Sequence, residues 1–100
     1  MAYLVALTIH LHLPDNGSLK GKRKELLGVK AALSRRFGAA VAEVDHHDLW
    51  QRSTLAAGLV GRSASELEQL TDALERYLEH RYPDGIRVER QLLSFSDLGR

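Results

Sequence analysis

From Tyr3 to Leu13 every second residue is large and apolar: Tyr3, Val5, Leu7, Ile9, Leu11 and Leu13, with Leu4, Ala6, Thr8, His10 and His12 between them. A strand turns successive side chains to opposite faces, so this segment is a strand with one wholly apolar face. Such a face needs a second layer to cover it. The following residues supply one. Pro14-Asp15-Asn16-Gly17 carries turn chemistry and stops the strand. Ser18 is placed to cap a helix, and Leu26, Val29, Leu33 and Phe37 recur at helical spacing with Leu19 on the same side. Gly38 stands where a C-terminal cap is expected. The first helix is therefore predicted over residues 19–37.

The pattern then changes period twice more. Residues 39–44 read as a short strand, and residues 51–60 as another with Leu55, Ala57 and Leu59 on one face. Asp45-His46-His47-Asp48-Leu49-Trp50 joins them, so a hairpin with a loop of about four or five residues is expected. Gly61-Arg62 breaks the second strand, and Ser63 with Glu66 forms a capping-box pair. Leu67, Leu70, Leu74, Tyr77 and Leu78 give a second amphipathic helix. It ends before the turn signal Tyr82-Pro83-Asp84-Gly85. Residues 86–95 read as a last strand whose alternation slips between Val88 and Leu93, the mark of a bulge or an edge position.

Strand, helix, strand, strand, helix, strand leaves few arrangements under the rules of right-handed crossover and two-layer packing. The expected fold class is α+β, a ferredoxin-like βαββαβ two-layer sandwich with an antiparallel sheet of order 4-1-3-2 and both helices on one face. A chain of 100 residues suits one such domain over residues 1–100. Its expected core is Leu7, Ile9, Leu11, Leu26, Leu33, Leu55, Leu59, Leu70 and Leu74.

Composition removes several function classes. Without cysteine there is no disulfide framework, thiolate metal site or cysteine nucleophile. A formal net charge of +1 predicts no partner by global attraction. The apolar N-terminal run lacks a preceding Lys or Arg and a small-residue cleavage site, so it is not read as a secretory signal. No apolar stretch is long enough to span a bilayer. A cytoplasmic protein is expected.

The predicted topology brings distant residues together. The end of the first strand, the start of the first helix and the hairpin loop share one rim of the sheet. His12, Ser18, Lys20, Lys22 and Arg23 are thus expected near residues 45–52. Three stretches here resemble the bacterial YlxP-like family of small domains of unknown function. They are His12-Leu13-Pro14 leading to Ser18-Leu19-Lys20-Gly21-Lys22-Arg23, then Val41-Ala42-Glu43-Val44-Asp45-His46, then Asp48-Leu49-Trp50-Gln51-Arg52. The similarity spans nearly the whole chain. The family usually carries an acidic residue where Gly21 stands, so the capping box of the first helix is broken here and its start is expected to be less well fixed. The resemblance implies a ferredoxin-like fold. Its genes often neighbour translation and ribosome-maturation genes, which implies an RNA-linked role, and it implies no known reaction.

Four constellations carry candidate chemistry. Lys20, Lys22, Arg23 and Lys24 crowd a helix N-terminus, where free N–H groups and the dipole favour anions. Cations there oppose the dipole, and a bound phosphate would relieve that cost; a solvated helix face is the plainer alternative. His12, Asp45, His46 and Asp48, with His10 nearby, are of types that ligate metals or act as acid and base, yet no ligand spacing such as H-E-x-x-H is present. No metal, cofactor or catalytic residue is assigned. Trp50 is suited to stacking on a base, or to plugging the end of the core with its N–H bonded to a loop carbonyl, and the plug is preferred. Arg52 is expected to pair with Glu43 across the hairpin. Ala6, Thr8, His10, Thr54, Ala56 and Gly58 make an open sheet face without the aromatics on which RRM domains stack bases, and small enough for a second copy to pack.

The leading expectation is a non-enzymatic RNA- or ribosome-associated binding domain with an anion-binding rim of Lys20, Lys22, Arg23, Trp50 and Arg52. The alternatives are a small oligomeric metal-dependent or acid–base enzyme using His12, Asp45, His46 and Asp48, and a dimeric scaffold that binds a protein partner.

Overall fold

Strand β1, Tyr3–His12, runs through the middle of the sheet because it can be buried along its whole apolar face. In the computed structural model, which describes residues 1–13 and 17–99, it pairs antiparallel on one side with β3, Arg52–Gly61, and on the other with β4, Ile86–Ser94. Both ladders are unbroken, from Tyr3↔Gly61 to His12↔Arg52 and from Tyr3↔Ser94 to Leu11↔Ile86. Strand β2, Ala40–Asp45, adds to the outer edge of β3, so the order is β2-β3-β1-β4. This is the expected ferredoxin-like sandwich. The turn read at Pro14, Asp15 and Asn16, and Arg100, lie outside the described residues.

Helix α1, Leu19–Phe37, and helix α2, Ala64–Arg81, pack on the face that carries Val5, Leu7, Ile9 and Leu11. Each fully buried Leu or Ile there contributes roughly 1.5–3 kcal/mol. Despite Gly21, Ser18 still caps α1: its hydroxyl accepts from the Gly21 N–H at 3.0 Å. The far end closes on a left-handed glycine. Gly38 adopts φ 69°, its N–H bonds Ser34 O at 2.9 Å, and the Ala39 N–H bonds Leu33 O at 3.2 Å. Ala39 is consumed by that cap and β2 starts one residue later than expected. Ser63 caps α2 through the Glu66 N–H at 3.3 Å.

One expectation fails for a physical reason. Leu70 is not in the core and stays 37% exposed. The inward stripe of α2 is Leu67, Thr71, Leu74 and Leu78, and Thr71 is admitted because its hydroxyl donates to Leu67 O at 2.8 Å. Strand β4 takes the edge position that its slipped alternation allowed, and it has no bulge. Arg90 holds an inward position opposite Leu7 at the sheet edge, where its guanidinium reaches Asp72 at 2.8 Å and Glu75 at 2.5 Å on α2, and this charge on the inner face mimics a slip. A bulge does lie in β2, between Glu43 and Asp45, leaving Val44 exposed on the edge. Among the described residues no helix is long and apolar enough to cross a membrane.

Candidate functional site

One rim of the sandwich gathers four chain segments. The Leu13 N–H donates to Gln51 O at 2.7 Å, joining the end of β1 to the hairpin connection, residues 46–51. The His12 N–H donates to Gly85 O at 2.8 Å, joining it to the turn before β4. That approach requires glycine, since a Cβ on Gly85 would stand 2.5 Å from the His12 carbonyl oxygen. Trp50 of the hairpin connection lies beside Gly17, before the start of α1, with its ring 4.0 Å from where a Gly17 Cβ would be.

Beneath this rim is a buried ion pair. Lys22 is only 2% exposed, and its ammonium donates to His46 O at 2.5 Å and Leu49 O at 2.6 Å and faces Glu43 Oε2 at 3.0 Å. All three of its protons thus have acceptors. Glu43 lies opposite Leu55 on the helix side of β2, and the Ser53 hydroxyl donates to the same carboxylate oxygen at 2.7 Å. Burial works against the Glu43 charge, but the bonds from Ser53 and Lys22 outweigh it and hold its carboxyl below the usual carboxylate range. The lysine ties the connection down from inside. His46 needs that tie: its φ is 65°, a left-handed conformation costing on the order of 1 kcal/mol for a side-chain-bearing residue. Its N–H is held by Asp45 Oδ1 at 2.7 Å, and its carbonyl also takes the Leu49 N–H at 3.1 Å.

The site residues read from the sequence therefore separate. Lys20 and Arg23 are exposed on the first turns of α1, and Arg52 is exposed opposite His12. Trp50 is 44% exposed at the rim, so it is not a core plug. Lys22 is withdrawn from the rim: a buried ammonium with three internal acceptors has nothing left for a phosphate. Arg52 does not pair with Glu43, because Glu43 points inward to Lys22 and Ser53. Of the metal or acid–base candidates, Asp45 and His46 meet, with Oδ2 3.9 Å from the ring Nε2, but the four do not converge. Asp45 is spent on the His46 N–H, His12 and Asp48 are exposed, and no group of three or more His, Asp or Glu is placed to hold a metal among the described residues. His10 binds Glu89 at 2.7 Å on the open face, where Arg87 also reaches Glu89 at 3.2 Å.

The sequence reading gives Glu43 the wrong partner and does not single out Ser53, though a signal exists. Lys22 stands four residues before Leu26 on the stripe that continues through Val29 and Leu33, all inward. Val41 and Glu43 share a face of β2, so an inward carboxylate and an inward ammonium were both legible, each requiring a partner.

The remaining cations segregate. Helix α1 holds Lys20, Lys22, Arg23, Lys24, Lys30, Arg35 and Arg36 against the single acid Glu25, whereas α2 holds Glu66, Glu68, Asp72, Glu75 and Glu79 against Arg76 and Arg81. Glu25 accepts from Arg81 at 2.8 Å and from the Tyr82 hydroxyl, so α1's one carboxylate is already engaged. Desolvation opposes its charge and the Tyr82 and Arg81 bonds overcome that, lowering its pKa.

Comparison with known proteins gives a family and a fold. Residues 4–90 match the family described as "Protein of unknown function (DUF503)". The "Uncharacterized protein YlxP" of Bacillus subtilis (strain 168) is 31% identical over 55 residues, which is 55% of this chain and 60% of that protein, so the match spans less than two thirds of the relative's length. Among solved structures, the "De novo designed protein Foldit4" aligns with a TM-score of 0.66 at 11% identity, over 94% of this chain and 98% of the design. The "De novo designed protein Ferredog-Diesel" aligns with a TM-score of 0.45 at 21% identity, over 86% of this chain and 83% of that one. At such identities the likeness to Foldit4 concerns the fold alone.

Proposed function

The chain belongs to the DUF503 family of proteins of unknown function, and from its rim geometry we propose that it is a non-enzymatic, cytoplasmic RNA- or ribosome-associated binding domain. Its contact surface is Lys20, Arg23, Trp50 and Arg52, with Lys22 as the internal tie beneath them. The carrying observation is the meeting of exposed cations at the start of α1 with a half-exposed tryptophan on a connection that is fixed from inside. Cations track phosphates and an indole face stacks on bases without demanding a sequence. A connection already held in one shape loses little entropy on binding.

The test is titration of the protein with single-stranded RNA across a salt series. Affinity is expected to fall steeply with salt, and replacing Lys20 and Arg23 together by Ala should lower the logarithmic slope by about 1.4, roughly 0.7 for each lost phosphate contact on a single strand. Arg35→Ala, near the other end of α1, should leave binding nearly unchanged. No binding at low salt, or equal losses from Arg35→Ala and the Lys20/Arg23 pair, would overturn the reading.

A second reading, a homodimer through the open sheet face, is favoured by one observation. Ala42 faces Ala56 and Ala40 faces Gly58 across β2 and β3, and Ala6 and Thr8 continue this small, uncharged surface on β1. Ala56→Glu should then give folded monomers by light scattering. An unmodified protein already monomeric at micromolar concentration would end that reading.

A further inference from the structure

Helix α2 carries a second apolar stripe beside its buried one. Leu70, Ala73 and Tyr77 recur at i, i+3 and i+7, and Leu70 is left 37% exposed. Ala73 and Tyr77, with Phe37 from the last turn of α1, floor an open groove of about 660 Å³ flanked by Arg36, Arg76, His80 and Arg81. No carboxylate lines it. Three acids nearby are engaged elsewhere: Glu25 by Arg81 and Tyr82, Asp72 and Glu75 by Arg90. The Arg36 guanidinium carbon lies over the Tyr77 ring, 4.7 Å from its centre, and 5.6 Å from the Phe37 ring centre. No described residue accepts a hydrogen bond from Arg36, Arg76 or His80.

We propose that this groove docks an acidic, amphipathic segment of a partner protein. Its apolar side chains would sit on Ala73, Phe37 and Tyr77 beside Leu70, and its carboxylates would meet Arg36 and Arg76, whose planar forks match carboxylates in pairs. The contact with Tyr77 fixes Arg36 in advance and lowers the entropy lost on docking. The floor argues against nucleic acid. Phe37 and Tyr77 already pack against each other, with centroids 5.8 Å apart and planes at 59°, and Arg36 covers Tyr77, so bases find little free ring surface. The groove is distinct from the rim, and the proposal is independent of RNA binding there.

The full chain is titrated, with backbone amide signals observed by NMR, against three probes: a synthetic helical peptide bearing Leu and Glu at i and i+4, the same peptide with Lys for Glu, and oligouridylate. Saturable shifts at Ala73, Tyr77 and His80 are expected with the Glu peptide alone. Arg76→Glu should weaken that binding about tenfold or more, and the Lys20/Arg23 double alanine variant should leave it unchanged. Arg76 is exposed and forms no ion pair among the described residues, so its variant should retain the parent's circular dichroism and melting temperature. A Glu peptide that produces no saturable groove shifts overturns the proposal. So does undiminished binding to Arg76→Glu, stronger groove shifts with oligouridylate, or light scattering in which Arg76→Glu abolishes self-association, which would make the occupant the acidic α2 of a second copy.

Discussion

The two helices share a layer and differ by one residue in length, yet they handle buried polarity in opposite ways. Helix α2 buries Thr71, whose hydroxyl returns to the carbonyl of Leu67 in its own helix. The polar group is cancelled locally and organises nothing beyond itself. Helix α1 buries Lys22, whose ammonium cannot be satisfied within a helix and reaches instead to His46, Leu49 and Glu43. A buried polar group that must find distant partners ties together segments that the chain keeps far apart. The same contrast holds outside. The net charge of +1 conceals a basic α1 and an acidic α2, so the cations needed by an anion-binding surface are concentrated on one helix.

The largest expected effect breaks that contrast on the α1 side. Lys22→Ala removes one partner of a buried ion pair, leaves the Glu43 charge uncompensated and takes a donor from two carbonyls, which should cost roughly 3–5 kcal/mol by denaturant unfolding. A cost below about 1 kcal/mol would mean that the connection holds itself. Leu11→Ala, in the sheet both helices cover, should cost about 2–5 kcal/mol, whereas Leu70→Ala should cost less than about 1 kcal/mol because Leu70 lies outside the core. Equal costs would contradict the face assigned to α2. Thr71→Val should cost only about 0.5–1.5 kcal/mol, since it deletes one local hydrogen bond at nearly constant volume.

Acid titration sharpens the comparison further. The Glu43 and Glu25 carboxyls are both lowered in the folded protein, so each contributes stability above its unfolded pKa, near 4.5, that is lost as pH falls through its folded value. Unfolding free energy should therefore drop below about pH 4.5, and Glu43→Gln should flatten that drop. An acid limb unchanged in Glu43→Gln would remove the pair from the account of stability.

Much of this was legible in the sequence because periodicity reports which face is buried. The period-two run from Tyr3 to Leu13, the caps at Ser18, Gly38 and Ser63, and the crossover rules sufficed for element order and sheet order. Less legible were positions where a polar residue occupies an apolar slot. Thr71 and Arg90 disguise the inner faces of α2 and β4, so the pattern puts Leu70 in the core and leaves bulge and edge both open for β4, which is the edge. Lys22 was misassigned for the same reason. Within a run of four cations in five residues, charge drew attention to the surface, while its spacing to Leu26 marked it as inward. The convergence of the rim followed from topology, but the inward turn of Glu43 depends on the pairing register of β2.

The central claim is that Lys20 and Arg23 touch RNA while Lys22 shapes the connection they surround. The direct measurement is the salt dependence of single-stranded RNA binding for the unmodified protein, the Lys20/Arg23 double alanine variant and Lys22→Met, all at a temperature where each is folded. The expected result is a slope lowered by about 1.4 in the double variant, and in Lys22→Met a weaker affinity with an unchanged slope, since a buried lysine releases no counterion. A slope that falls equally in Lys22→Met, or no RNA binding by the unmodified protein at low salt, would contradict it.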